Sequence, residues 1–287
     1  MKVRGSLSAF LVGVSQKRPT TNLMKVAAAQ ISCLVGDFNA NVRKIRDFAV
    51  LAKKSGAQLI VFPEMVDTGY SMPVIQKHAK KWSDGAVPEL QKIAKEISIA
   101  IVAGISDRDG ESIFNSQVLV NAQGEVIARY RKTHLVTAAP LDERVCLSPG
   151  NEFVSCKVGK FTVGLSICYD LRFPEMARTL VVERRANVIV NSSAWPLVRA
   201  EHLRILALAR AVENQSYFII ANRVGTDDGV TFCGSSLIVD PSGAILAAAP
   251  IDREELIEAE ISEQVIADVR NRVTIFAHRR AELYKIS

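Results

Sequence analysis

Short apolar runs alternate with amphipathic stretches along this chain. The segments 25–32, 58–64, 99–105, 161–167, 187–191 and 217–222 are rich in Val, Ile, Leu, Ala and Phe, with the length of buried strands. Between them, apolar residues recur at helical spacing. Val42, Ile45, Phe48, Ala49 and Ala52 predict a helix over 40–54, with Asp37 and Asn39 as capping oxygens and Gly56 as the stop. Further helices are expected over 87–97, 174–183 and 201–214, with Pro174 at a favoured first-turn position. Strands and helices in this succession predict an α/β layer fold. The period changes twice. Segments 115–121 and 125–131 flank Ala122-Gln123-Gly124, and 235–239 and 244–248 flank Asp240-Pro241-Ser242-Gly243. Apolar alternation around a Gly turn predicts a hairpin at each place. Two hairpins of one design suggest two half-sheets of similar construction.

Three strand ends carry chemistry. The run 161–167 stops at Cys168, just before the helix that opens at Pro174. A nucleophile at a strand-to-helix corner is held rigidly and stays accessible. The run 58–62 delivers Glu64 directly after Pro63, and 125–131 leads into Lys132. Singly, each residue reads as a buried cysteine or a surface charge. Together they bring a thiol, an acid and a cation to strand ends, where open α/β sheets bind ligands. In that set Glu64 can take the thiol proton and return it to a leaving amine, with a raised pKa in a closed pocket. Lys132 and the backbone N–H of Tyr169 can receive an oxyanion. A Cys–His arrangement using His134 is the alternative, disfavoured because the acid–lysine–cysteine set accounts for more.

Phe62-Pro63-Glu64, Tyr130-Arg131-Lys132-Thr133-His134-Leu135 and Cys168-Tyr169-Asp170-Leu171-Arg172-Phe173-Pro174-Glu175 resemble, in order, the three catalytic blocks of the nitrilase, or carbon–nitrogen hydrolase, superfamily. The resemblance spans about residues 24–284, and the last block is most similar to the ω-amidase-like branch. It implies a four-layer α-β-β-α sandwich, with homodimers formed by apposed helix layers, or higher homo-oligomers. It implies a cofactor-independent amidase: Cys168 as nucleophile, Glu64 as base and Lys132 as oxyanion donor. Glu143, seven residues before Gly150, matches a second family glutamate that holds the lysine and helps position water; Asp142 is its neighbouring alternative. Small carboxylate-bearing amides are the implied substrates, with 2-oxoglutaramate, 2-oxosuccinamate and deaminated glutathione foremost. Tyr169, Tyr70, Trp195 and Arg199 are candidate pocket residues. Arg172 either grips a substrate carboxylate or, as the preferred reading, pairs with Glu175 to brace the corner. N-carbamoyl amine or nitrile hydrolysis, and an idle scaffold of the same fold, are the rival functions.

Composition narrows the field further. The chain has 287 residues and a net charge of +6, with its basic residues scattered. A nucleic-acid groove needs them clustered on one face. No apolar run reaches the 18 residues of a membrane helix. Five cysteines without framework spacing argue against a disulfide scaffold, and no zinc spacing or phosphate loop implies a metal or cofactor. Residues 1–23 hold Lys2, Arg4, Lys17 and Arg18 but no acid. They read as an extension ahead of a hydrolase domain over 24–287, with a mitochondrial transit peptide or weak secretory signal as alternatives. The expected location is cytoplasmic, or mitochondrial if the extension is a transit peptide.

Overall fold

Two six-stranded sheets lie face to face in the computed structural model, which describes residues 23–138 and 141–284. The first half of the chain runs β1 (Leu23–Gln30), α1 (Phe38–Lys54), β2 (Leu59–Val61), α2 (Met72–His78), α3 (Ala86–Ile97), β3 (Ala100–Asp109), β4 (Ser112–Val120) and β5 (Val126–Arg131). The second half runs β6 (Ser155–Val158), β7 (Phe161–Ile167), α4 (Pro174–Val182), β8 (Val188–Ser193), α5 (Ala200–Asn214) and β9 (Tyr217–Asn222). A small ribbon of β10 (Thr226–Asp227) and β11 (Val230–Thr231) follows. Strands β12 (Leu237–Val239) and β13 (Ile245–Ala248) complete the second sheet. Then β14 (Glu255–Ser262) returns to the edge of the first, before α6 (Glu263–Arg272).

The sheet orders are β14-β1-β2-β3-β4-β5 and β13-β12-β9-β8-β7-β6. Each has three parallel strands at its centre, a hairpin pair on one side and a lone antiparallel strand on the other. The half-sheets expected from the two Gly-turn hairpins are therefore present.

Side-chain alternation divides the core. Val26, Ala28, Leu59, Val61, Val102 and Leu119 face the second sheet. Their neighbours Ala27, Ala29, Ile60, Ile101 and Ala103 face outward onto Ile45 and Ala49 of α1 and Leu90 and Ile93 of α3. On the far side α4 and α5 cover the second sheet with Met176, Leu180, Leu203 and Ala207. This is a helix–sheet–sheet–helix sandwich. Asp37 caps α1 by accepting from the Ala40 N–H at 3.0 Å, as its position predicts.

Some expected bounds shift. The first strand ends at Gln30 because Ile31 leaves the ladder and bridges to Arg223, the residue after β9 of the other sheet. Six elements were not foreseen, among them the two-residue strands β10 and β11. α2 has seven residues, too few to show a period, and α6 buries only Ile266. β14 alternates glutamates with apolar residues along a sheet edge, and β6 has four residues and no fully buried side chain. The expected extension over 1–23 lies, but for its last residue, outside the described residues. Among the described residues no helix is long and apolar enough to cross a membrane.

Candidate active site

The carboxyl ends of the parallel strands meet between the sheets. Ser192 of β8 donates its hydroxyl to the Phe62 carbonyl at 2.7 Å and receives the Gln117 amide at 2.8 Å. Gly104 of β3 lies so close to the following segment that a Cβ there would stand 2.7 Å from the Glu64 Cα. That contact seats Glu64 against β3, and only glycine permits it. Met65 then turns through φ +51°, and Cys168 sits at φ +42° at the end of β7. Both backbones occupy the left-handed region, which non-glycine residues rarely enter without surrounding constraint.

The side chains converge. Lys132 Nζ lies 2.8 Å from Glu64 Oε1 and 2.8 Å from Glu143 Oε1, with all three side chains fully buried. The second Glu64 oxygen accepts the Ala194 N–H at 2.9 Å, and the second Glu143 oxygen accepts the Val136 N–H at 2.7 Å. Tyr70 donates its hydroxyl to Glu143 at 3.0 Å. Asn115 bridges the two carboxylates from 2.6 Å and 3.1 Å. Asp142 instead points outward and pairs with Arg144, so Glu143 is the acid that faces Lys132.

Each burial has an electrostatic cost that the neighbours redistribute. Burial raises the Glu64 pKa; Lys132 pulls it back down and Glu143 pushes it up again, leaving it above the ordinary carboxylate value. Burial also raises the Cys168 thiol well above its usual value, with Glu64 adding to the rise and Lys132 opposing it. Burial and Glu64 both favour the thiol over the thiolate. For Lys132 burial works against the charge, but Glu143, Glu64 and Cys168 outweigh it and raise the pKa, fixing an ammonium. An acid with a raised pKa, a thiol that needs deprotonation and a permanent cation are the components of nucleophilic acyl transfer.

A small pocket opens onto Cys168, walled by Tyr70, Tyr169, Arg172, Trp195 and Arg199. All five candidate pocket residues are thus brought together. The Trp195 loop is not surface packing: the indole is 2% exposed and donates Nε1–H to the Arg199 carbonyl at 2.8 Å. The expected brace between Arg172 and Glu175 is not formed. The Arg172 guanidinium lies 4.7 Å from the Trp195 ring centre, because the 3₁₀ turn over Cys168–Arg172 directs it toward the pocket. Burial and the nearby Arg199 lower the Arg172 pKa, and neither arginine has an acidic partner among the described residues. His134 turns away to Asp170 at 2.7 Å and stacks on Phe173, which removes it from the role of thiol base.

Asn115, Ala194 and Val136 were missed by sequence reasoning. The ladder places Asn115: Ser116 pairs with Arg131, and the next step puts the Asn115 carbonyl on the Lys132 N–H at 2.8 Å. Gly150 closes the same point. Its N–H reaches the Lys132 carbonyl at 2.8 Å, and a Cβ there would stand 2.2 Å from the Arg131 carbonyl oxygen.

A buried Cys–Glu–Lys cluster at strand ends, with a second glutamate on the lysine, is the geometry of a carbon–nitrogen hydrolase. The carbon-nitrogen hydrolase family profile matches residues 25–271, and the chain belongs to that family, whose members hydrolyse carbon–nitrogen bonds other than peptide bonds. The chain is 35% identical over 261 residues to the 2-oxoglutaramate amidase of Bacillus subtilis, covering 88% of this chain and 98% of that protein. It is 35% identical over 269 residues to a nitrilase of Pyrococcus abyssi, covering 91% and 99%. Among solved structures, an amidase from Nesterenkonia superposes with a TM-score of 0.82 at 29% identity, covering 93% of this chain and 97% of that one. That structure is of a glutamate-to-glutamine mutant, which carries the acetamide moiety of fluoroacetamide covalently on the active-site cysteine.

Proposed function

We propose that this protein is an ω-amidase-like amidohydrolase that cleaves a small amide bearing a carboxylate. The observation that carries the reading is the pair Arg172 and Arg199, two guanidinium groups without an acidic partner among the described residues, on the wall that faces Cys168. A substrate carboxylate supplies the missing charge, and a guanidinium suits it bidentately. The amidase relatives act in the same direction as supporting evidence.

The steps follow from the charges. Glu64 takes the Cys168 proton as sulfur attacks the amide carbon, forming the C–S bond. The resulting oxyanion is held by Lys132 and the Tyr169 N–H. Glu64 then gives its proton to nitrogen, the C–N bond breaks and ammonia leaves a thioester. A water next loses its proton to Glu64 and attacks the thioester. Glu143, tied to Lys132 and Tyr70, orients that water and keeps the ammonium in place. The C–S bond breaks and sulfur recovers the proton. Each transfer needs an acid that can both hold and release a proton, which the raised Glu64 pKa provides.

The test is ammonia release across ω-amides, carbamoyl amines and nitriles. Turnover of 2-oxoglutaramate should far exceed that of a nitrile of equal size, and should fall when its carboxylate is replaced by an uncharged group. Preference for the nitrile would favour the alternative suggested by the Pyrococcus relative.

The same reading extends to assembly. A homodimer joined through the α5 layer accounts for Ile205 and Val212, which stand half exposed on that helix. Light scattering during gel filtration tests it: a monomer at micromolar concentration rules it out.

A further inference from the structure

The thiol and the ammonium come from different sheets. Their separation depends on whatever ties the end of β5 to the end of β7. Asp170, buried two residues after Cys168, makes that tie. Its Oδ2 accepts the Ile167 N–H at 2.9 Å, immediately before the nucleophile. The same oxygen accepts the Tyr130 hydroxyl at 2.7 Å, two residues before Lys132. Its Oδ1 accepts from His134 Nδ1 at 2.7 Å, two residues after Lys132. The Tyr130 hydroxyl in turn receives the Thr133 N–H at 3.0 Å, closing the turn that holds Lys132.

One carboxylate thus grips the backbone before Cys168 and side chains on both flanks of Lys132. We infer that Asp170 is a positioning residue, with Tyr130 as its partner, which sets the distance between the oxyanion cation and the nucleophile. It acts through Cys168 and Lys132 and touches no substrate. The left-handed backbone of Cys168 makes such a restraint necessary, since the corner would otherwise relax toward a commoner conformation. Burial, and then Asp170 itself, raise the Tyr130 pKa well above its usual value, so the phenol remains a donor.

The inference rests on the roles proposed for Cys168 and Lys132, and the test separates the two. Thioester formation is followed by mass in single turnovers for Tyr130→Phe, Asp170→Asn, Lys132→Met and each of the first two combined with Lys132→Met. Tyr130→Phe and Asp170→Asn should each slow acylation by about 10–100-fold with KM unchanged, the size expected from a misplacement of about 1 Å. In the Lys132→Met background Tyr130→Phe should add little, because the group it positions is gone, whereas Asp170→Asn, which also grips the backbone before Cys168, should keep part of its loss. Full acylation by both folded variants would overturn the inference, as would a Tyr130→Phe loss that multiplies in full with that of Lys132→Met. If Asp170→Asn does not fold, Tyr130→Phe decides, since it removes one hydroxyl. Wild-type acylation by Lys132→Met would instead overturn the role of Lys132, whatever the other variants do.

Discussion

Strand β5 and the residue beyond it serve two charge clusters of opposite character. Arg129 and Arg131 point to one face and share Asp107, with Arg131 also reaching Asp109 at 2.7 Å. Arg129 lies over Trp82 and Arg131 over Phe114, at 4.3 Å and 3.6 Å from the ring centres. Lys132, one residue on, points between the sheets to two carboxylates and no aromatic ring. The outer cluster matches two cations with two acids, and its arginines keep 35% and 24% exposure. The inner one places two acids on one cation with no exposure at all. An exposed guanidinium on an aromatic platform keeps its charge and strengthens packing. A buried excess of acid makes one carboxylate hold a proton easily, which is what proton transfer requires. Strand alternation therefore separates a structural cluster from a reactive one within four residues.

The comparison breaks most sharply at the centre. Cys168→Ala should abolish thioester formation while leaving the melting temperature near wild type, whereas alanine at Cys33, Cys146, Cys156 or Cys233 should leave substantial turnover. Lys132→Met should lower kcat by about 10²–10³-fold, the loss typical for one oxyanion donor. Lys132→Arg should not restore it, because a planar fork cannot occupy the space of a compact ammonium. Steady-state kinetics check both, and full rescue by arginine would mean that charge alone matters.

Glu64→Gln should slow thioester formation by about 10²–10⁴-fold, and alkylation of Cys168 should slow with it. The pH profile sharpens this prediction. Because the Glu64 pKa is raised in the folded enzyme, its active carboxylate form is lost as pH falls through that raised value. The acid limb of kcat/KM should lie above the ordinary carboxylate range and vanish in Glu64→Gln. Lys132 should contribute no alkaline limb below pH of about 10, the ordinary lysine value, since its pKa is shifted upward.

The smallest expected effect on catalysis lies in the outer cluster. Asp107→Asn should leave kcat unchanged and lower stability by about 1–3 kcal/mol, the range for stranding partly buried partners. Denaturant melts measure it. A large fall in kcat without a change in melting would erase the distinction between the clusters.

Cys168, Glu64 and Lys132 were legible because each ends an apolar run, so position along the chain already indicates place in the sheet. Glu143 was legible only through the resemblance; its neighbour Asp142 has the same local appearance, and burial alone separates them. Asn115 was not legible as a site residue. The β4–β5 register slips between Leu119 and Val120, so counting outward from the Gly124 turn misses its partner by one. The orientation of Arg172 was equally hidden: sequence allows a partner three residues on, and only the 3₁₀ turn after Cys168 sends it to Trp195 instead. The sandwich itself was read from strand and hairpin patterns together with the resemblance. α2 and α6 escaped because neither presents a full apolar face.

The close approach of Gly150 to the end of β5 has an evolutionary consequence. The segment between Lys132 and Gly150 leaves and returns at a single point, tied by the hydrogen bond between those two residues. It carries Glu143, and its Val136 and Leu141 line the pocket. A loop closed at its base can change length at little entropic cost, roughly 0.6 kcal/mol per doubling. Insertions and substitutions at its tip can therefore remodel what the pocket admits without moving the ammonium beneath it. The tip of this loop can drift while Glu143 at its buried turn and the ammonium at its base are held still.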